Sequence, residues 1–226
     1  MEKLHAKSID QIELEFEPPI EREASRLSPA AIALELGSIC MKFARVERVP
    51  RYDDYERESD VEHSFMLSMV ATELAHLYYP ELDKQLVGEY GRVHDLIEVA
   101  TGDIATFNLT ADELAAKEAA EHAALDALLD QLPPYTASLL ASYELQADLE
   151  ARFVRAVDKL MPVVVDIIGQ GSHVMHEDYG VTELADLKSS HESLHARIAQ
   201  KFGEFATIIR AHRQLCDLFE KEFTVT

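Results

Sequence analysis

From residue 28 onward, apolar residues return every three or four positions, the period of a helix with one face turned inward. Ser28-Pro29 sets a capping serine ahead of a proline at the first helical position and predicts a helix to about Arg45. Asp60 is read as the cap of a second helix, with apolar positions at Val61, Phe65, Leu67, Met69, Val70 and Leu74. A third is expected from about Glu81 to Thr101, interrupted near Gly91 and stopped by Gly102. Thr110-Ala111-Asp112-Glu113 has capping-box spacing and opens an alanine- and leucine-rich helix that ends before Pro133-Pro134. Further helices are expected over residues 134–146, 149–170 and 182–222, the last in one or two pieces. Residues 1–24 break this pattern. There Gln11-Ile12-Glu13-Leu14-Glu15-Phe16-Glu17 alternates apolar with acidic, a strand period, and Pro18-Pro19 ends it. A single strand has no partner in this sequence, so the stretch is read as an acidic N-terminal arm or tail. The remainder, 25–226, is expected to be all-α, a single-domain helical bundle.

Composition narrows the function classes. A chain of 226 residues, 47% of them hydrophobic, suits one domain with a substantial core. No apolar run is long enough to span a bilayer, and Met1-Glu2-Lys3-Leu4-His5 leads into a polar, acidic stretch unlike a signal peptide. Cys40 and Cys216 show no metal-like spacing and make no disulfide framework. A cytoplasmic protein without a membrane role is the expectation. The formal net charge of −21 opposes an extended nucleic-acid footprint. A small anion is not opposed, because a divalent cation and one or two arginines reverse the sign locally.

The chemistry lies in four side chains on three segments: His63, the adjacent pair His94-Asp95, and Asp158. Two imidazoles and two carboxylates suit one borderline or hard divalent cation and leave positions open for water and substrate oxygens. That set points to hydrolysis of a phosphate ester. Neighbouring helical residues leave the axis about 100° apart, so His94 and Asp95 can take adjacent corners of one coordination sphere. Glu98 follows His94 by four residues and Asp95 by three, on the same face. Asp158 flanks an inward stripe of Phe153, Val157 and Leu160, where a carboxylate needs a partner. Pro162 leaves the Asp158 carbonyl without its helical donor and is expected to kink the helix there.

In this order, the residues resemble the HD-domain phosphohydrolases, most closely their 5′-deoxynucleotidase branch. Glu62-His63-Ser64 resembles the first family motif. His94-Asp95-Leu96-Ile97-Glu98-Val99-Ala100-Thr101-Gly102-Asp103 is similar to the branch signature, and Arg152 through Leu160 to the last motif. Arg48-Val49-Pro50 falls where the branch carries Arg-Trp-Pro, and the likeness covers roughly residues 28–170. It implies an HD-type helical domain in which His63, His94, Asp95 and Asp158 hold one divalent ion: manganese, cobalt, iron, magnesium or zinc. It further implies Glu98 as the catalytic acid or base, Asp103 near the sugar or the attacking water, and Arg48 on the phosphate. The implied substrate is a small nucleotide, a nucleoside 5′-monophosphate and in particular a deoxynucleotide, and similar proteins often form homodimers. Three departures weaken the substrate assignment: Val49 for the tryptophan, Phe107 for a proline after Thr106, and Leu109 where some relatives carry a lysine. Dinuclear relatives add two histidines between the His-Asp pair and the last aspartate. Only His122 lies in that interval here, so one metal is favoured.

Two other readings stay open at this point. One is cleavage of a nucleoside triphosphate or another phosphorylated metabolite, for which Arg45, Arg48, Arg51 and Arg57 offer positive charge. The other is a nucleotide-binding regulator that keeps the metal without turnover. His191 with His195, and His173 with His176, have helical spacing but are read as solvated faces; the second pair can also border a pocket. Asp53-Asp54 and Glu56-Arg57-Glu58 are read as solvated charge.

Overall fold

The computed structural model describes residues 28–52, 55–104, 107, 109–146 and 148–224. The strand expected at 11–17 and the arm at 1–24 lie outside them. Ser28 caps the first helix, α1 (Pro29–Phe43), its hydroxyl accepting from the Ala31 amide at 3.2 Å. Two short strands follow, β1 (Glu47–Arg51) and β2 (Arg57–Ser59), paired antiparallel with Glu47 opposite Ser59 and Arg51 opposite Arg57. The helical reading gave no hint of this hairpin. Pro50 lacks an amide proton and is tolerated in so short a two-stranded ribbon. Glu58, expected in solvent, points inward from β2 and is buried.

Helix α2 (Asp60–Tyr78) is capped by Ser59, not Asp60. The Ser59 hydroxyl accepts from the Glu62 amide while the Glu62 carboxylate accepts from the Ser59 amide. Asp60 is released from capping and is fully buried. Phe65 and Met69 point outward, while Leu67, Ala71 and Ala75 form the inner face. Helix α3 (Lys84–Val93), capped by Asp83, packs along α2. Gly91 does not interrupt it. A methyl group there would lie 2.7 Å from the Ser68 Cα, so the glycine lets the two backbones touch. The break comes instead at residues 94–97, a turn that leads into the one-turn helix α4 (Glu98–Thr101) and ends at Gly102, whose φ is 74°.

Helices α5 (Ala111–Leu129), with the expected Thr110–Glu113 capping box, and α6 (Pro134–Glu144) cover one side. The stretch expected as one helix over 149–170 divides into α7 (Leu149–Asp158) and α8 (Met161–Ile168), with Pro162 in the first turn of α8. A short α9 (Gly171–Glu177) was not foreseen. The C-terminal stretch forms two pieces, α10 (Leu184–Lys201) and α11 (Ala206–Glu222). The central core joins Leu67 of α2, Val87 and Tyr90 of α3, and Phe153, Val154 and Val157 of α7, all buried. Each such side chain contributes roughly 1.5–3 kcal/mol by leaving water. That core clamps α2, α3 and α7 together, and the chemical residues stand at their shared end. Among the described residues, no helix is long and apolar enough to cross a membrane.

Candidate metal centre

Each donor reaches the centre from its own element. His63 lies in the first turns of α2, His94 and Asp95 in the turn that closes α3, and Asp158 at the last position of α7. His63 Nε2 is 3.1 Å from Asp158 Oδ1 and 3.9 Å from Asp95 Oδ2. His94 Nε2 is 2.8 Å from Asp95 Oδ2 and 3.8 Å from Asp158 Oδ1. Adjacent ligands about 2.0–2.2 Å from one ion stand roughly 3–3.5 Å apart, so His63, His94 and Asp158 group around one point with Asp95 Oδ2 beside both imidazoles, while Asp95 also groups with the acids Asp60 and Glu98. Ending α7 at Asp158 frees that carboxylate to turn inward, which is the work of the Pro162 break.

The imidazoles are prepared for a cation. His94 Nδ1 lies 3.1 Å from the Gly91 carbonyl, so its proton belongs on that nitrogen. Nε2 then carries the lone pair, and it is buried without a hydrogen-bond partner. An outer acceptor such as the Gly91 carbonyl sets the tautomer of a metal-bound histidine. His63 Nδ1 faces Glu58 Oε2 at 3.6 Å, beyond hydrogen-bond reach. The orphaned His94 Nε2 and the mixed N/O donor set fit a divalent ion, and His63, His94, Asp95 and Asp158 would hold it.

Arg48 enters from β1 and is nearly buried. Its Nη1 donates to Asp95 Oδ2 at 2.9 Å and Asp60 Oδ1 at 3.3 Å, and its Nε pairs with Glu58 Oε2 at 3.3 Å. Glu58 and Asp60 were missed by sequence reasoning. The signal for Glu58 was its position immediately before the Ser59–Glu62 capping box, on a strand the helical pattern concealed. Asp103, past Gly102, is partly buried and lines the same cavity as His94, Asp95 and Asp158. So do Glu98 and Arg48. Glu98 Oε1 accepts from Lys117 of α5 at 3.3 Å, whereas Oε2 is buried without a partner. Lys117, also unforeseen, is further paired with Glu121.

Electrostatics sort these acids into two kinds. Burial would raise Asp95 and Asp158, but the histidines, with Arg48 beside Asp95 and Lys159 beside Asp158, hold both below the usual carboxylate range. Glu98 goes the other way. Burial, then the charges of Asp95, Asp103 and Asp60, push it up to about 10 against the pull of Lys117. Asp103 is raised by burial and Asp95, opposed by Arg48. Burial and Arg48 disfavour charge on His63, but the hydrogen bond to Asp158 and the nearby Glu58 carboxylate prevail and lift it to about 9. Two deprotonated acids thus face the imidazoles while a protonated one stands beside them. Pairs of carboxyl groups divided in this way mark acid and base roles.

The pattern of the HD domain family matches residues 42–201. The chain belongs to the HD domain family. Its helical fold agrees with that membership. Among solved structures, this HD-domain chain resembles the crystal structure of a predicted metal-dependent phosphohydrolase from Magnetospirillum magnetotacticum MS-1. The TM-score is 0.63 at 24% identity, over 86% of this chain and 96% of the other, a likeness of fold. No curated protein matches the chain.

The remaining histidines correct one expectation. His191 of α10 is not solvated. It is buried against α11, with Nδ1 2.9 Å from Glu220 Oε1, because the two C-terminal helices pack face to face. His195 stacks on His212, ring centroids 5.4 Å apart. His173 pairs with Glu177 at 3.0 Å, and neither it nor His176 lines the cavity, although Val174 and Met175 between them do.

Asp166 of α8 offers a separate test of the electrostatics. It is 8% exposed, its Oδ1 has no hydrogen-bond partner, and burial with Glu58 nearby pushes it up to about 7. A carboxyl raised on folding stabilises fully below its unfolded value near 3.8 and loses that stability as pH rises to about 7. Asp166→Asn removes the charge. It is expected to stabilise the protein by about 4 kcal/mol at pH 8 and much less at pH 4, read as melting temperature across that range. An equal effect at both pH values would refute the assignment.

Proposed function

We propose that this HD-domain chain is a metal-dependent phosphohydrolase that releases phosphate from nucleoside 5′-monophosphates, deoxynucleotides first among them. The observation that carries this reading is the four-donor cage beside a buried, protonated glutamate whose Oε2 has no partner, with His94, Asp95, Asp158 and Glu98 lining one cavity of about 350 Å³. The fold shared with a protein described as a predicted metal-dependent phosphohydrolase supports it. A divalent ion in the cage supplies Lewis-acid polarisation of a phosphate oxygen and a more acidic water. Glu98 gives its proton to the departing sugar oxygen, a role suited to an acid held in its neutral form. Lys117 fixes the Glu98 carboxyl so that Oε2 is the free atom. Arg48 holds Asp95 in place through Nη1, while Nη2, paired with no described carboxylate, is offered to the phosphate. Asp103 meets the sugar or the water. Ile104, Phe107, Val174, Met175 and Tyr179 line the cavity with apolar surface fit for a base.

The reading of a binder without turnover has little support, since a buried acid with a free oxygen serves no purpose in a regulator. A homodimer is part of the proposal, supported by Phe65, Met69 and Leu77 exposed along α2. The decisive test is a panel of nucleoside mono-, di- and triphosphates assayed for released phosphate with manganese, cobalt, magnesium and zinc, against a chelator control. Chelator-sensitive phosphate release from monophosphates is expected. Pyrophosphate or triphosphate release instead would move the substrate class, and no release from any substrate with any ion would end the proposal.

A further inference from the structure

Most of the positive charge foreseen around residues 45–57 is engaged with carboxylates: Arg48 keeps only Nη2 for the scissile phosphate, and the exposed Arg45 does not line the cavity. Arg51 and Arg57 pair with Asp178, and Arg51 also with Glu177, at the end of α9. Arg48 is spread over three carboxylates and Lys117 over two. Yet the cavity has a second set of cations on another wall. Arg155 and Lys159 come from α7 and the turn after it, and Arg197 and Lys201 from α10. On those elements and α6, the cavity-lining carboxylates are Glu144 and Asp158 alone among the described residues, and Asp158 is a cage donor. Even without Lys201, Arg155, Lys159 and Arg197 outnumber these two carboxylates in a chain with 42 acidic and 21 basic residues.

Two of these cations show unspent capacity. Arg155 lies 4.7 Å over the Tyr143 ring and donates from Nη2 to Glu144 at 3.3 Å, but its Nε is buried with no hydrogen-bond partner. A buried donor left unmade is costly, and an anion relieves it. Arg197 is exposed and makes no ion pair among the described residues. Position matters as well. Arg155 precedes Asp158 by three residues, one helical turn, and Lys159 follows it, with Nζ 2.7 Å from Asp158 Oδ2. The cationic wall thus begins beside the cage and runs outward along α10. The surface of a protein with net charge −21 repels an anion unless such a wall reverses the field.

We infer that the substrate carries a second phosphate-class group beyond the one hydrolysed, received by Arg155, Lys159 and Arg197. This rests on the reading that the cage takes the scissile phosphate. The added group is a phosphate elsewhere on the sugar of the 5′-nucleotide, or the outer phosphates of a polyphosphate chain, in which case the substrate class moves from monophosphates to polyphosphates; the wall supplies the same recognition to both.

The test uses metal-loaded full-length Glu98→Gln protein, in which ligands survive, titrated calorimetrically with thymidine 5′-monophosphate, thymidine 3′,5′-bisphosphate and thymidine 5′-triphosphate. At least one multiply phosphorylated ligand is expected to bind about tenfold or more tighter than the monophosphate, and which one identifies the source. Arg197→Ala is expected to erase several-fold of that preference without weakening the monophosphate, and Arg155→Met the larger part. If Arg155→Met fails to fold, the exposed Arg197 decides alone. Equal affinity for all three ligands, or a preference untouched by Arg197→Ala, overturns the inference. Should the parent protein release no phosphate while the preference holds, the hydrolase reading falls and the anion subsite stands.

Discussion

Asp95→Ala is expected to remove both the bound ion and turnover. Asp95 Oδ2 is within 2.8 Å of His94 Nε2 and also takes Arg48 Nη1 at 2.9 Å, so it joins the cage to the strand hairpin. Its loss takes one negative charge from the donor set and leaves the Arg48 cation aimed at the same space, which disfavours a divalent ion twice over. Removing the ion forfeits several kcal/mol of charge stabilisation, a loss of about 10³-fold or more in kcat/KM. Metal content of the purified variant, measured by mass spectrometry, should fall to background, and phosphate release with it. Because Asp95 also supports a buried arginine, Asp95→Asn serves as the variant that keeps the shape. Parental rates in either would show that the cage is not the reacting centre.

Glu98→Gln is expected to separate metal binding from chemistry. Glu98 stands outside the four-donor cage, so the variant should retain its ion at parental stoichiometry. The amide cannot give up a proton as a carboxylic acid does, and kcat should fall by about 10²–10⁴-fold with KM little changed. The pH profile adds a second reading. Burial and three neighbouring carboxylates raise Glu98 to about 10, so in the parent its acid form prevails at neutral pH and is lost as pH climbs towards that value. Parental activity should therefore decline on the alkaline side, and the Glu98→Gln residue should lack that limb. A Glu98→Gln protein with undiminished kcat would remove Glu98 from the chemistry.

Much of the architecture was legible because helices obey local rules. The cap at Ser28, the capping box at Thr110–Glu113 and the inward stripe of Phe153, Val157 and Leu160 are written in spacings of three and four residues, and all three appear in the structure. The four cage residues were legible as a set for a different reason, their order along the chain in a family pattern. The hairpin was not legible. Its strands have five and three residues, too few to show a period of two, and their pairing is between segments, not within one.

What the chain by itself determined was where most helices start, the buried stripe of α7, and that two imidazoles and two carboxylates are available to one cation. The tertiary structure alone decided that the two imidazoles stand 2.8–3.9 Å from the two carboxylates, that the α3 helix opens at His94 and not at Gly91, and that Glu58, Asp60 and Lys117 belong to the site. It also turned His191 from a solvated residue into a buried one. The physical reason is common to all of these. Helix caps and stripes are set by neighbours a turn away, whereas the charge state and orientation of a buried side chain are set by whatever distant segment packs against it.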